Sequence, residues 1–239
     1  MLIKNFAFFW IGNDTSVPNL LVRSIKLVYG EDAVIYYLTD NETPHIKGVT
    51  KTIRDNLPKG MMLARLKAYS NLQSSEYVVF LDADSLIINK FYLQENASDK
   101  ILIVSRKREG YIIDHNYPEI YPEFRNKTQE EMMPILFGII VTKNSNTFFS
   151  ELLKLLKNEF PERYHRWYGD QMSLVYYWAN NQDLFLEIPL DSYFYITRSK
   201  INLNELYDLR MKKIPIVTFK GPESKAFIID TLKHLQDVI

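Results

Sequence analysis

Short apolar runs alternate with stretches of helical period through the first half of the chain, the pattern of a mostly parallel sheet flanked by helices. Phe6 to Ile11 is the first run. SVPNLLVRSIKLVYG then sets Leu21, Ile25 and Val28 on one helical face, with Ser16 as N-cap, Pro18 in the first turn and Gly30 as the stop. Strands are predicted at Ala33 to Leu38 and, with a weaker pattern, Val49 to Ile53. GMMLARLKAYSNL places Met62, Leu66 and Tyr69 on one face of a second helix, and Tyr77 to Leu81 and Ile101 to Val104 read as further strands.

From Arg106 to Met133 the period is lost, and Tyr117, Pro118, Tyr121 and Pro122 interrupt the stretch. A long irregular segment inside a domain reads as a lid or binding loop. PILFGIIVT resumes as a strand, followed by a helix from Asn144 to about Phe160 carrying Phe148, Leu152, Leu155 and Leu156 at helical spacing. GDQMSLVYYWAN opens another helix. Shorter strands are predicted at Leu184 to Ile188, Tyr193 to Thr197 and Pro215 to Phe219, with a closing helix from about Glu223. No repeat, low-complexity tract or linker divides the chain, so residues 1–239 are expected to form a single domain.

Composition narrows the function. Lys plus Arg and Asp plus Glu each number 29, so no net field draws the chain to nucleic acid, which is not an expected partner. With no cysteine there is no disulfide, thiolate metal site or Cys nucleophile, in keeping with a reducing compartment, and a cytoplasmic location is expected. MLIKNFAFFWIG lacks a small-residue cleavage site and reads as a core strand. No apolar stretch is long enough for a transmembrane segment, which leaves peripheral membrane association open. The aromatic content of 14% would suit a carbohydrate cleft, but the same rings serve a core equally well.

The chemistry concentrates in YVVFLDADSLIIN, where an apolar strand ends in Asp82 and Asp84. An isolated buried carboxylate is costly, so something positive must meet both. In open α/β sheets ligands bind beyond the carboxyl ends of the strands, where these two residues fall. Two carboxylates at i and i+2 suit Mg²⁺ or Mn²⁺, with a diphosphate supplying further oxygens. The plainer alternative is a chance D-x-D in which one Asp caps a turn and the other pairs with a Lys. Histidines 45, 115, 165 and 234 show no metal-ligand spacing.

ARLKAYSNLQSSEYVVFLDADSLI resembles the helix, strand and D-x-D segment of GT-A glycosyltransferases of family 8, the group that contains glycogenin and bacterial lipopolysaccharide hexosyltransferases. The resemblance implies a GT-A fold, α/β and Rossmann-like, with a mostly parallel mixed sheet. It implies a UDP-hexose donor, a glycan or other hydroxyl acceptor, and Mn²⁺ or Mg²⁺ on Asp82 and Asp84. It places Arg65, Asp82, Ala83 and Asp84 at the donor, and Asn13 and Asp14, at the first strand's end, near the base or ribose. LFGIIVTKNS is similar to the family's Asn-Ala-Gly strand, with Gly138 kept and Leu136 where the sugar-binding Asn is expected. YGDQMSL resembles the Asp-Gln helix start, which puts Asp170 and Gln171 near the reacting carbon, while Met172 replaces a second aspartate. Asp170 after Gly169 is also a plain N-cap. TFKGPESKAF is similar to the His-x-x-Gly-x-x-Lys segment, so Gly221 and Lys225 would meet the diphosphate, while Thr218 stands in place of the metal-ligating His.

Three readings follow. The leading one is a metal-dependent, retaining hexosyltransferase with Gln171 beneath the anomeric carbon. A second is an inverting GT-A transferase with Asp170 as base. A third, motivated by Leu136, Met172 and Thr218, is a catalytically weak nucleotide-sugar or glycan-binding module. A nucleotidyltransferase is disfavoured, because the chain begins without a Gly-rich phosphate loop.

Overall fold

The computed structural model describes residues 1–93, 97, 99–106, 112, 113, 119–188, 194–197, 203–220, 224 and 228. The described strands are β1 (Asn5–Phe9), β2 (Val34–Thr39), β3 (Lys51–Arg54), β4 (Val78–Leu81), β5 (Ser85–Ile87), β6 (Ile101–Ser105), β7 (Ile135–Thr142), β8 (Phe185–Ile188), β9 (Phe194–Thr197) and β10 (Ile216–Phe219). The described α-helices are α1 (Ser16–Tyr29), α2 (Met61–Ser70), α3 (Gln129–Met132), α4 (Ser145–Asn158), α5 (Arg163–Arg166), α6 (Gly169–Asn180) and α7 (Leu203–Met211).

Among the described residues, seven strands form one sheet in the order β3-β2-β1-β4-β7-β6-β8. The pairs β2 with β3, β1 with β2, β1 with β4 and β6 with β8 are parallel, whereas β7 runs antiparallel to both neighbours, β4 and β6. The sheet is thus α/β, mixed and mostly parallel. The period of two decides which face each residue serves. Phe6 and Phe8 of β1 join Val79 and Leu81 of β4 and Leu21 and Ile25 of α1 on one face. Ala7, Phe9, Val78 and Phe80 join Leu66 and Tyr69 of α2 and Phe149 and Leu152 of α4 on the other.

That alternation slips once, in β7. Ile135 and Phe137 lie on the α2 face, and so does Ile140, while Ile139 and Val141 lie on the α1 face. The slip falls at Gly138, where the register against β6 jumps between Ile103 and Val104. A bulge of this kind frees local backbone groups and re-aims side chains.

The small sheet β5-β10-β9 is set beside the large one. Strand β10 runs antiparallel to β5, with Thr218 opposite Ser85, and β9 is parallel to β10. The residues Leu86, Ile88, Leu206, Val217 and Phe219 form a core of its own.

The elements agree with the sequence pattern, with exceptions that have physical causes. α1 starts at Ser16, but Ser16 does not cap it: the Asp14 carboxylate accepts the Ser16 amide at 2.8 Å. β5 and α7 were not expected, the first because three residues are too few to show a period, the second because its face is only weakly apolar. In the irregular stretch, the described part is anchored rather than open. Tyr121 and Phe124 are buried, stack at 5.3 Å, and the Tyr121 hydroxyl donates to the carbonyls of Arg163 and Trp167. Thr128 and Glu131 form a capping box on α3. Tyr117 and Pro118, and most of the closing helix, lie outside the described residues.

Candidate active site

A cleft of about 530 Å³ opens at the carboxyl ends of β1 and β4, lined by Trp10 and Ile11, Leu81 to Asp84, and Leu136 to Gly138 of β7. The first turn of α2 contributes Met61, Met62 and Arg65, and α6 contributes Asp170 and Gln171. Arg106, Trp167, Tyr168 and Lys220 complete much of the wall.

Asp82 sits at the centre. Its backbone amide donates to the Gly138 carbonyl at 3.1 Å, which fixes the chain as it leaves β4. Its Oδ1 accepts from Arg65 Nη1 at 2.7 Å and its Oδ2 from Lys220 Nζ at 2.5 Å. Lys220 Nζ also lies 3.3 Å from Asp84 Oδ1. The approach to β7 is so close that a Cβ on Gly138 would stand 2.7 Å from Asp82 Oδ2. Only glycine leaves that space.

Arg65 is a second node. Besides Asp82 it binds the Asp170 carboxylate through Nη2, and its guanidinium lies 4.5 Å from the Phe137 ring centroid, within cation-π reach. Asp170 is fully buried, so this pairing is what makes its charge tolerable. It is not an N-cap: α6 begins at Gly169 after Tyr168, whose φ is 62°, and Asp170 Oδ1 accepts the amide of Gln171 at 2.7 Å within the first turn. Gly169 is required there, since a Cβ would meet the Tyr164 carbonyl and Leu156.

Gln171 faces β7. Its Oε1 accepts the Phe137 amide at 2.9 Å and its Nε2 donates to the Ile135 carbonyl at 2.8 Å.

The pKa of Lys220 is raised. Burial pulls the ammonium down, but the charges of Asp82 and Asp84, with their hydrogen bonds, outweigh it. Burial pushes the Tyr69 phenol up, so this ring behind the cleft stays neutral and donates to the Leu81 carbonyl at 3.3 Å.

The sequence-predicted residues Arg65, Asp82, Ala83, Asp84, Asp170 and Gln171 are thus gathered in one cleft. Asn13 and Asp14 stand apart from its described lining, exposed in the turn beyond Trp10 and Ile11; the Asp14 carbonyl accepts from the Trp10 indole at 2.9 Å. Gly221 and Lys225 lie outside the described residues. Sequence reasoning missed Lys220, although it stands directly after an apolar strand, β10, as Asp82 stands after β4. It also missed Trp167, which is half exposed on the cleft wall.

The residues present do not fit a divalent cation between Asp82 and Asp84. Such an ion wants about six oxygens close by. Here the Lys220 ammonium bridges the two carboxylates, and Arg65 holds the other oxygen of Asp82. Thr218 Oγ1 is 3.5 Å from Asp84 Oδ1 and shares a hydrogen bond with Ser85 Oγ at 2.9 Å. Among the described residues, no group of three or more His, Cys, Asp or Glu is placed to hold a metal. Nor is any described helix long and apolar enough to cross a membrane.

No protein-family model and no curated protein sequence matches the chain. Solved structures do. The chain is similar to the galactosyltransferase LgtC in complex with donor and acceptor sugar analogs, with a TM-score of 0.60 at 12% identity over 98% of this chain and 95% of that one. It is similar to the bifunctional glycosyltransferase WbbM, with a TM-score of 0.55 at 14% identity over 98% of this chain and 50% of WbbM. A glycosyltransferase that acts in glycosylation of the major capsid of PBCV-1 matches with a TM-score of 0.54 at 12% identity, over 95% and 98% of the two chains. The order of strands, the cleft at their carboxyl ends and these likenesses together give the chain the GT-A glycosyltransferase fold.

Proposed function

We propose that the protein transfers a hexose from a nucleoside diphosphate sugar, UDP-hexose in the first instance, to a hydroxyl of a glycan or other acceptor. The observation that carries this reading is the clustering of Arg65 and Lys220 around Asp82 at the end of β4, on the floor of a cleft sized for a small ligand. A diphosphate brings negative charge that grows as the sugar departs, and cations fixed beside it stabilise that change. The nucleoside lies toward Trp10 and Ile11, with Asn13 and Asp14 beyond them. Gly221 and Lys225 are assigned to the diphosphate from the sequence resemblance alone. Trp167 offers an exposed ring for the acceptor sugar to stack against.

Retention of configuration is the stereochemical outcome we favour. The carboxylates of the described cleft lining are Asp82, Asp84 and Asp170, and each is paired with Lys220 or Arg65. An inverting base must be available to take the acceptor proton. In the retaining course the bond between the anomeric carbon and the diphosphate oxygen breaks, the acceptor oxygen bonds on the same face, and its proton passes to the departing diphosphate. Gln171 Oε1, which spends one lone pair on Phe137, keeps a second to face the electron-poor carbon.

A panel of UDP-sugars assayed for hydrolysis and transfer tests the proposal, because hydrolysis needs no knowledge of the acceptor. Release of UDP from one sugar donor supports it. Tight UDP-sugar binding without turnover would instead favour the binding-module reading.

A further inference from the structure

Resting on the diphosphate-sugar reading above, we propose that Lys220 is the resident counter-cation of the donor diphosphate, filling the place between Asp82 and Asp84 so that donor binding requires no divalent metal.

The backbone dictates this placement. Thr218 of β10 pairs with Ser85 of β5 in antiparallel register, and the Phe219 amide donates to the Asp84 carbonyl at 3.0 Å. Lys220 follows directly, one residue past β10 and beside the turn that carries both aspartates. The side chain then needs no unusual reach to lie 2.5 Å from Asp82 Oδ2 and 3.3 Å from Asp84 Oδ1. The same register puts Thr218 over Ser85, where its buried hydroxyl shares a hydrogen bond with Ser85 Oγ at 2.9 Å and lies farther, 3.5 Å, from Asp84 Oδ1.

An ammonium has three donors. Two serve Asp82 and Asp84, and the third remains for a phosphate oxygen; the side chain is one-third exposed on the cleft, so a ligand can reach it. Arg65 and Arg106 add two more cations to the described lining, balancing its three carboxylates before the donor arrives. An ammonium and a divalent ion cannot share this position at contact distance, since their like charges repel. Asp82 and Asp84 therefore hold and orient Lys220, which makes them positioning residues.

The test is calorimetric titration of UDP into the intact protein, in EDTA and in Mn²⁺, for the wild type, Lys220→Ala and Lys220→Arg. The wild type should bind UDP equally in both buffers, within about twofold. Lys220→Ala in EDTA should bind about ten- to a hundredfold more weakly, the loss of one charge-assisted contact. Mn²⁺ should recover part of that loss, because the vacated carboxylates can then take the ion. Lys220→Arg should stay closer to wild type in EDTA. Wild-type binding strengthened tenfold or more by Mn²⁺ overturns the assignment of Lys220 and leaves sugar transfer standing. Absence of UDP binding in every buffer, for a wild type with an intact melting transition, removes the UDP-donor reading and this inference with it. The wild-type comparison needs no variant, so a poorly folded Lys220→Ala does not spare the proposal.

Discussion

Gln171 pairs with Phe137 as one strand pairs with another: its Oε1 accepts the Phe137 amide at 2.9 Å, while its Nε2 donates to the Ile135 carbonyl at 2.8 Å. The side-chain amide takes the place of a peptide group where β7 bulges at Gly138 and its register against β6 breaks. Gln171→Ala would leave two buried backbone groups unpaired, at about 1–3 kcal/mol each. The variant should melt at lower temperature and turn over more slowly, while UDP affinity stays close to wild type. Gln171→Glu keeps the acceptor but sets a carboxylate against the Ile135 carbonyl, so its melting temperature should recover as falling pH protonates it.

Arg65 joins two acids that come from distant parts of the chain, Asp82 after β4 and Asp170 in α6. Removing one partner of a buried pair costs about 3–5 kcal/mol, because the other charge stays behind. Arg65→Ala should therefore lower stability strongly and weaken UDP binding by about tenfold or more. Arg65→Ala combined with Asp170→Asn should regain part of the stability but not the affinity. Denaturant unfolding and calorimetry on the four proteins of this cycle separate the two effects.

Gly138→Ala tests the closeness of β7 to Asp82. Backbone strain is not at issue, because Gly138 has no positive φ. The added Cβ would meet Asp82 Oδ2 at 2.7 Å, and Asp82 can swing away only by loosening Arg65 or Lys220. UDP affinity should fall about tenfold with a loss of stability of only about 1–3 kcal/mol, read by calorimetry and thermal melting.

Much of this site was legible because it sits where apolar periodicity stops. Asp82 and Asp84 stand out against the run Val78 to Leu81, and Asp170 and Gln171 lie in the first turn of a helix, Gly169–Asn180, whose start is the one read from the sequence. Lys220 was not legible as a partner of the aspartates, because its role depends on the pairing of β10 with β5, and a three-residue strand leaves no periodic trace. Part of the irregular stretch was not legible either. Tyr121 and Phe124 are core residues in a single short turn that carries no extended period, and they fill a pocket made with Tyr164 and Tyr168.

Glu123 ties that aromatic pocket to α5, accepting from Arg163 Nη2 at 3.0 Å and from the Tyr164 hydroxyl. Burial pushes its carboxyl up, but the hydrogen bonds from Tyr164 and Arg163 outweigh this and hold the pKa below the ordinary 4.5. A carboxylate with a lowered pKa contributes stability above its unfolded value and loses it as pH falls through the folded one. Wild type should melt above Glu123→Gln at neutral pH, and the gap should close as pH drops below 4.5. A gap that is constant across the acid range counts against the ionised pairing.

Asp170 bears on the proposed stereochemistry through the contacts it already makes. Its carboxylate is fully buried, binds Arg65 through Oδ2 and accepts the Gln171 amide through Oδ1. A base must take up the acceptor's proton, and an Asp170 that did so would give up its charge pairing with Arg65. Asp170→Asn replaces one oxygen by an NH₂ that cannot accept from Arg65, so the guanidinium loses its anchor on α6. In a retaining enzyme the consequence is a misplaced Arg65: turnover should fall about tenfold, UDP affinity should fall with it, and the product anomer should be unchanged. In an inverting enzyme the same variant should lose on the order of 10²–10⁴ in rate while binding UDP normally. Anomeric NMR of the wild-type product, read beside these two measurements, separates the cases. An inverted product with normal UDP binding in Asp170→Asn would make Asp170 the base despite its pairing, and Arg65 would then have to release it during turnover.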